Sequence, residues 1–118
     1  MRVYVICPVR RISDNQRADV LAHVSMLEDK GHIVFVPFRD NVAETPENGL
    51  LVCRNNRAAL EEAEAILVFW DPMSAGSIFD LGMAFALRKS IMLGWEIQRN
   101  GDESFENLLL ALTVKGEE

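Results

Sequence analysis

Apolar positions along this chain switch repeatedly between two spacings. Short runs dense in β-branched and aromatic residues alternate with longer stretches where apolar residues recur every third or fourth position. Arg2 to Cys7 (RVYVIC) is the first run, closed by Pro8, and predicts strand one. Ser13 or Asp14 then caps a predicted helix to about Lys30, with Val20, Leu21, Val24 and Leu27 at helical spacing and Gly31 as its stop. His32 to Val36 (HIVFV) predicts strand two, ended by Pro37. The polar stretch from Asp40 to Gly49 carries Thr-Pro and Asn-Gly breaks and predicts a mobile loop at the strand ends. Leu51 to Glu62 predicts a second helix. Ala65 to Trp70 (AILVFW) is apolar without interruption, as a strand covered on both faces requires. Ser77 to Arg88 predicts a third helix and Ser90 to Leu93 a fourth strand. A loop from Trp95 to Asp102 with an Asn-Gly turn precedes a last amphipathic helix from Ser104 to Val114.

Strands that alternate with helices build a parallel sheet with helices on both faces. Right-handed crossovers leave few ways to wind it. The expected fold is a single-domain, flavodoxin- or Rossmann-like three-layer α/β fold over residues 1–118, sheet order 2-1-3-4, with room for a fifth strand. The third helix is apolar nearly all round. Ile78, Leu81, Gly82 and Phe85 form an expected sheet-facing stripe, and Phe79, Met83 and Ala86 a second one. That surplus predicts a homo-oligomer, most simply a two-fold dimer through the 77–88 helix, unless the C-terminal helix covers it.

Composition narrows the function. With 118 residues, 49% hydrophobic and 25% charged, the chain has the make-up of one soluble domain. No apolar run nears the ~20 residues of a membrane span, and no charged-then-apolar leader precedes strand one, so a cytoplasmic protein without membrane partners is expected. Cys7 and Cys53 have neither metal nor redox spacing and are expected to be reduced. His23 and His32 stand in unrelated contexts, so no metal site and no cofactor are expected. A net charge of −6 argues against nucleic acid as a partner. It leaves room for a small phosphorylated ligand, because arginine outnumbers lysine nine to three and Arg10, Arg11 and Arg39 fall in predicted loops.

The most informative stretch runs from Trp70 through Asp71, Pro72, Met73, Ser74, Ala75, Gly76 and Ser77 to Asp80. It places a carboxylate, Asp80, in the first turn of a helix at the rim of the sheet, where open α/β folds bind ligands. Ser77-x-x-Asp80 also spells a capping box. Ser74 and Ser77 could donate to a phosphate at the helix N-terminus. Arg39-Asp40 after strand two is either a rim contact to sugar or phosphate or a local ion pair closing a turn. Trp70 and Trp95, at two strand ends, are candidates for stacking on a base or for burial.

Three segments resemble the nucleoside 2-deoxyribosyltransferase superfamily, including its nucleotide N-glycosidase branch. They are Tyr4-Val5-Ile6-Cys7-Pro8-Val9-Arg10, Asn55-Asn56-Arg57 and Gly76-Ser77-Ile78-Phe79-Asp80-Leu81-Gly82. The resemblance implies a carboxylate that attacks the anomeric carbon of a deoxyribosyl group, expels the base and forms a glycosyl ester. Water or a second base then resolves the ester. On this likeness Asp80 is the nucleophile and Tyr4 its hydrogen-bond partner. Arg10 holds a phosphate or hydroxyl, and Asn56 sits where the family usually has an acid. Asp71, Ser74, Gly76 and Ser77 frame the ligand.

Two positions depart from the family pattern. Aspartate is one methylene shorter than the usual glutamate, and about 1 Å of misplacement can cost ~10²-fold in rate. Asn56 cannot exchange a proton, so the leaving base needs another donor, with Asp71 or a group from the 40–49 loop as candidates. The expected function is an N-glycosyl hydrolase or transferase acting on (deoxy)ribonucleosides or their 5′-monophosphates. The alternatives are a non-catalytic module of the same fold that binds a nucleotide-like ligand and another sugar-nucleotide hydrolase.

Overall fold

A computed structural model describes residues 1–97 and 104–115. Its elements run β1 (Arg2–Ile6), α1 (Asp14–Asp29), β2 (Ile33–Phe35), α2 (Pro37–Asp40), α3 (Gly49–Glu62), β3 (Ala65–Val68), α4 (Ala75–Ala86), β4 (Ser90–Leu93) and α5 (Phe105–Lys115). Among the described residues the sheet has four strands, all parallel, in the order β2-β1-β3-β4. Tyr4 pairs with Phe35 on one side and Ile66 on the other, and Val68 pairs with Leu93. The expected fold and strand order are therefore present. The expected Asn-Gly turn at Asn100-Gly101 lies outside the described residues.

Strand periodicity divides the core in two. Val3, Val5 and Cys7 turn toward α1, where they meet Val20, Val24, Val34, Leu67 and Phe69. Tyr4 and Ile6 turn the other way, onto Leu60 of α3, Leu81 and Ala84 of α4, and Leu109 of α5. β3 is buried along its whole length, which is why its sequence shows no alternation. α1 is capped by Ser13, with the reciprocal Gln16 contact of a capping box, and ends before Gly31 at φ +92°. Gly94 is held against the Phe69 ring so closely that a Cβ would lie 2.3 Å from a ring carbon.

The structure corrects several boundaries. Pro37 opens one helical turn, α2, because its fixed φ and missing N–H suit a first helical position. α3 starts at Gly49, two residues before the expected start, and α4 starts at Ala75 rather than Ser77. Ser74 is the α4 cap, accepting the Ser77 N–H at 3.2 Å. The expected Ser77-Asp80 box therefore does not form, and Asp80 falls in the second turn. The sheet-facing stripe of α4 is Ser77, Asp80, Leu81 and Ala84, while Gly82 and Phe85 face outward. α5 packs against β4 rather than over the outward face of α4, where Phe79 and Phe85 stay 57% and 56% exposed.

Candidate active site

With strand order 2-1-3-4, the chain leaves β1 in one direction and later crosses to β3 in the other. The loops after β1 and β3 therefore diverge at their C-terminal ends and open a crevice. A cleft of about 790 Å³ lies there, walled by the loop after β1, the 41–44 segment, the first turns of α3, and the start of α4.

Asp80 lines the base of this cleft, and Tyr4 holds it from the sheet. The Tyr4 hydroxyl donates to Asp80 Oδ2 at 2.8 Å, and both residues are buried. Tyr4 is fixed by its place in β1 and by stacking on Phe35, with ring centroids 5.5 Å apart. Burial raises the Asp80 carboxyl from its ordinary 3.8 to about 6, and the Tyr4 bond pulls the other way. The helix dipole acts mainly within the first turn, so it does little for Asp80 in the second. Burial, then the neighbouring Asp80 charge, pushes the Tyr4 phenol upward, so its proton stays on. No described group donates to Asp80 Oδ1.

The opposite wall is built from amides. Asn41 Oδ1 accepts its neighbour's backbone N–H, from Val42, at 2.9 Å, and the Asn55 Nδ2 at 3.1 Å. These two bonds fix which end of Asn41 is the oxygen. Its Nδ2 therefore donates, to Asn56 Oδ1 at 2.6 Å and to the Val52 carbonyl at 3.3 Å. Asn56 is consequently oriented with its own Nδ2 as the free donor on the cleft side. Asn41 carries no local sequence signal. It meets Asn56 only because the segment after β2 packs on α3.

Several expected residues do line the cleft. Arg10 pairs with Glu44 across its mouth, Asp71 Oδ1 accepts the Met73 N–H, and Ser74 and Gly76 border the α4 end. Others do not. Arg39 bonds Glu28, Asp40 and the Val34 carbonyl, and Asp40 also accepts the Val36 N–H. Those contacts make the turn-closing ion pair, away from the cleft. Ser77 is buried on the sheet-facing side of α4, its hydroxyl unpaired, rather than on the cleft wall. Trp70 is buried and bonded to Glu106, and Trp95 donates to the Trp70 carbonyl at 2.9 Å, so neither ring reaches the cleft.

The structure also brings in residues that the motif does not contain. Arg17 reaches the cleft from α1 with its guanidinium 4.6 Å above the Phe38 ring, and Phe38 itself follows Pro37. Both cysteines are free thiols on the cleft wall. Burial, with a smaller push from Asp80, raises Cys7 to about 12, so it is protonated.

Solved structures share this architecture. The 2-deoxyribosyltransferase of Bacillus psychrosaccharolyticus superposes with a TM-score of 0.69 at 23% identity, over 83% of this chain and 77% of that one. The CMP N-glycosidase of Clostridium botulinum gives 0.59 at 23%, over 79% and 70%. The 2-deoxyribosyltransferase of Leishmania mexicana gives 0.58 at 24%, over 78% of this chain and 62% of that one. No curated protein matches the chain significantly. The family model for nucleoside 2-deoxyribosyltransferase matches residues 3–110, from within β1 into α5. That span takes in all but the first residue of the sheet and every wall of the cleft, and the chain belongs to the nucleoside 2-deoxyribosyltransferase family.

Proposed function

We propose that the chain is an N-glycosyl hydrolase or transferase acting on (deoxy)ribonucleosides or their 5′-monophosphates, with Asp80 as the nucleophile. The observation that carries this reading is the buried Tyr4–Asp80 bond at the base of a cleft large enough for a nucleotide. Tyr4 fixes one carboxylate oxygen and leaves the other for the anomeric carbon, which is the positioning that covalent catalysis needs. Arg10, once exchanged from Glu44, is a fit for a phosphate or sugar hydroxyl. Family membership supports the reaction class.

A second reading, a non-catalytic module that binds a nucleotide-like ligand, is favoured by Asn56, which replaces an ionisable group with a fixed amide. One experiment separates the two. Wild type and Asp80→Ala are incubated with deoxynucleosides and their 5′-monophosphates, with and without an acceptor base, and free base or exchanged nucleoside is measured chromatographically. Product from the wild type alone supports the enzyme. No product, with a ligand raising Tm, supports the binding module.

We also propose a two-fold dimer through the outward face of α4, where Phe85 is exposed.

A further inference from the structure

The following inference rests on the glycosyl chemistry proposed above. A carboxylate that attacks an anomeric carbon expels the base with the electron pair of the glycosidic bond. A neutral base departs as an anion unless an acid hands it a proton. A base that already carries a positive charge departs neutral and needs no acid. The proton donors facing the cleft therefore decide which nucleosides it suits.

Among the described residues, three carboxyl side chains line the cleft: Glu44, Asp71 and Asp80. Asp80 is the nucleophile. Glu44 is engaged as an acceptor by Arg10, and Asp71 by the Met73 N–H. The Tyr4 proton is committed to Asp80, and burial makes the Cys7 thiol a very weak acid. Asn56 offers an N–H that can hydrogen-bond but not transfer. Among the described residues, each carboxyl on the cleft wall already accepts a hydrogen bond and no imidazole lines the cleft, which leaves the exposed Cys53 thiol as the one unengaged acidic group there.

The aromatic side chains point the same way. Phe79, next to Asp80, borders the cleft with its ring exposed and without a ring partner among the described residues. Such a face attracts a planar cation. Phe38, also on the cleft wall, already holds the Arg17 guanidinium over its ring.

We propose that this site is specialised for N-glycosides of positively charged bases, such as N-alkylated purinium or pyridinium rings. Asp80 Oδ1 bonds to the anomeric carbon as the carbon–nitrogen bond breaks, and the released electron pair neutralises the ring. Water then attacks the same carbon, Asp80 leaves as a carboxylate, and the water proton passes to solvent. Atoms and charge balance without an enzyme acid.

The test compares 7-methylguanosine with guanosine, and 7-methyl-2′-deoxyguanosine with 2′-deoxyguanosine, each also as the 5′-monophosphate. Released base is quantified, and the Asp80→Ala reaction is subtracted as spontaneous loss. The expected result is a kcat/KM at least ~10²-fold higher for the methylated member of a pair, the size of a missing acid's contribution. Asn56→Asp, with folding checked by its Tm, is expected to raise the unmethylated rate ~10-fold or more and to narrow that ratio. Unmethylated substrate cleaved within about tenfold of its partner, or a folded Asn56→Asp that leaves the ratio unmoved, overturns the proposal while glycosyl chemistry stands. No Asp80-dependent release from either member overturns both.

Discussion

The Tyr4 hydroxyl and Asp80 Oδ2 lie 2.8 Å apart and join the first strand to the fourth helix across 76 residues of sequence. The bond has a thermodynamic cost. Asp80 is buried, its carboxyl is raised to about 6, and it titrates at an ordinary 3.8 when unfolded. Between those values the folded state binds more protons than the unfolded one, so stability falls as pH rises through the window. Above pH 6 the whole penalty is present, on the order of 3 kcal/mol from the shift. Asp80→Asn keeps an acceptor for Tyr4 and removes the charge. It is expected to raise stability at pH 7–8 by about 1–3 kcal/mol, with the gain shrinking toward pH 4. Denaturant unfolding of both proteins at pH 4 and pH 8 measures this, and a gain independent of pH contradicts it.

The same shift sets an activity profile. A nucleophilic Asp80 works only when ionised, so turnover is expected to rise with pH to a plateau, with a midpoint near 6. The Tyr4 bond holds the carboxyl lower than burial alone would. Tyr4→Phe is therefore expected to move the midpoint upward and to lower the plateau ~10- to 100-fold, the range for a hydrogen bond to a charged group. A profile that is flat from pH 5 to pH 7 in the wild type rules out Asp80 as the titrating nucleophile.

Gly94 bears on the sheet rather than on the chemistry. A Cβ there would enter the Phe69 ring, which Trp95 and His23 contact from other sides. Gly94→Ala is expected to destabilise by about 1–3 kcal/mol, the range for overpacking a core. Thermal unfolding checks it, and an unchanged Tm would mean that the ring moves aside freely.

The outward face of α4 makes a prediction about assembly. Phe85 is 56% exposed and does not line the cleft. Phe85→Glu places a charge in the proposed two-fold contact and is expected to turn a dimer into a monomer. Light scattering after size exclusion reads the mass directly. A wild-type monomer at all concentrations would refute the contact.

The sheet was legible because its signals are local. Runs such as AILVFW and the breaks at Pro8, Gly31 and Pro37 mark strands and ends without help from distant residues. Tyr4 and Asp80 were legible as a pair only through the family likeness, since neither residue's neighbours point to the other. The α4 boundary was misread because two serines three residues apart can each cap a helix. Ser74 is the one with extended backbone, at ψ 102°. Asn41, Arg17 and Glu44 reach the cleft only after the chain has folded. Their contacts with Asn56, Phe38 and Arg10 span loops and helices that no sequence period relates. Arg39 and Asp40 went the other way, because adjacent opposite charges close their own turn before any ligand arrives.

The Arg10–Glu44 pair makes entry of an anion an exchange rather than an addition. Arg10 comes from the loop after β1 and Glu44 from the segment after α2, so their bond ties two walls of the cleft together. A phosphate that takes the nitrogen now held by Glu44 displaces that carboxylate, and the freed glutamate then stands as a like charge beside the newcomer. Added salt weakens the old partnership as well as the new one. Affinity for an anionic ligand should thus depend less steeply on ionic strength than it would at an arginine with no resident partner.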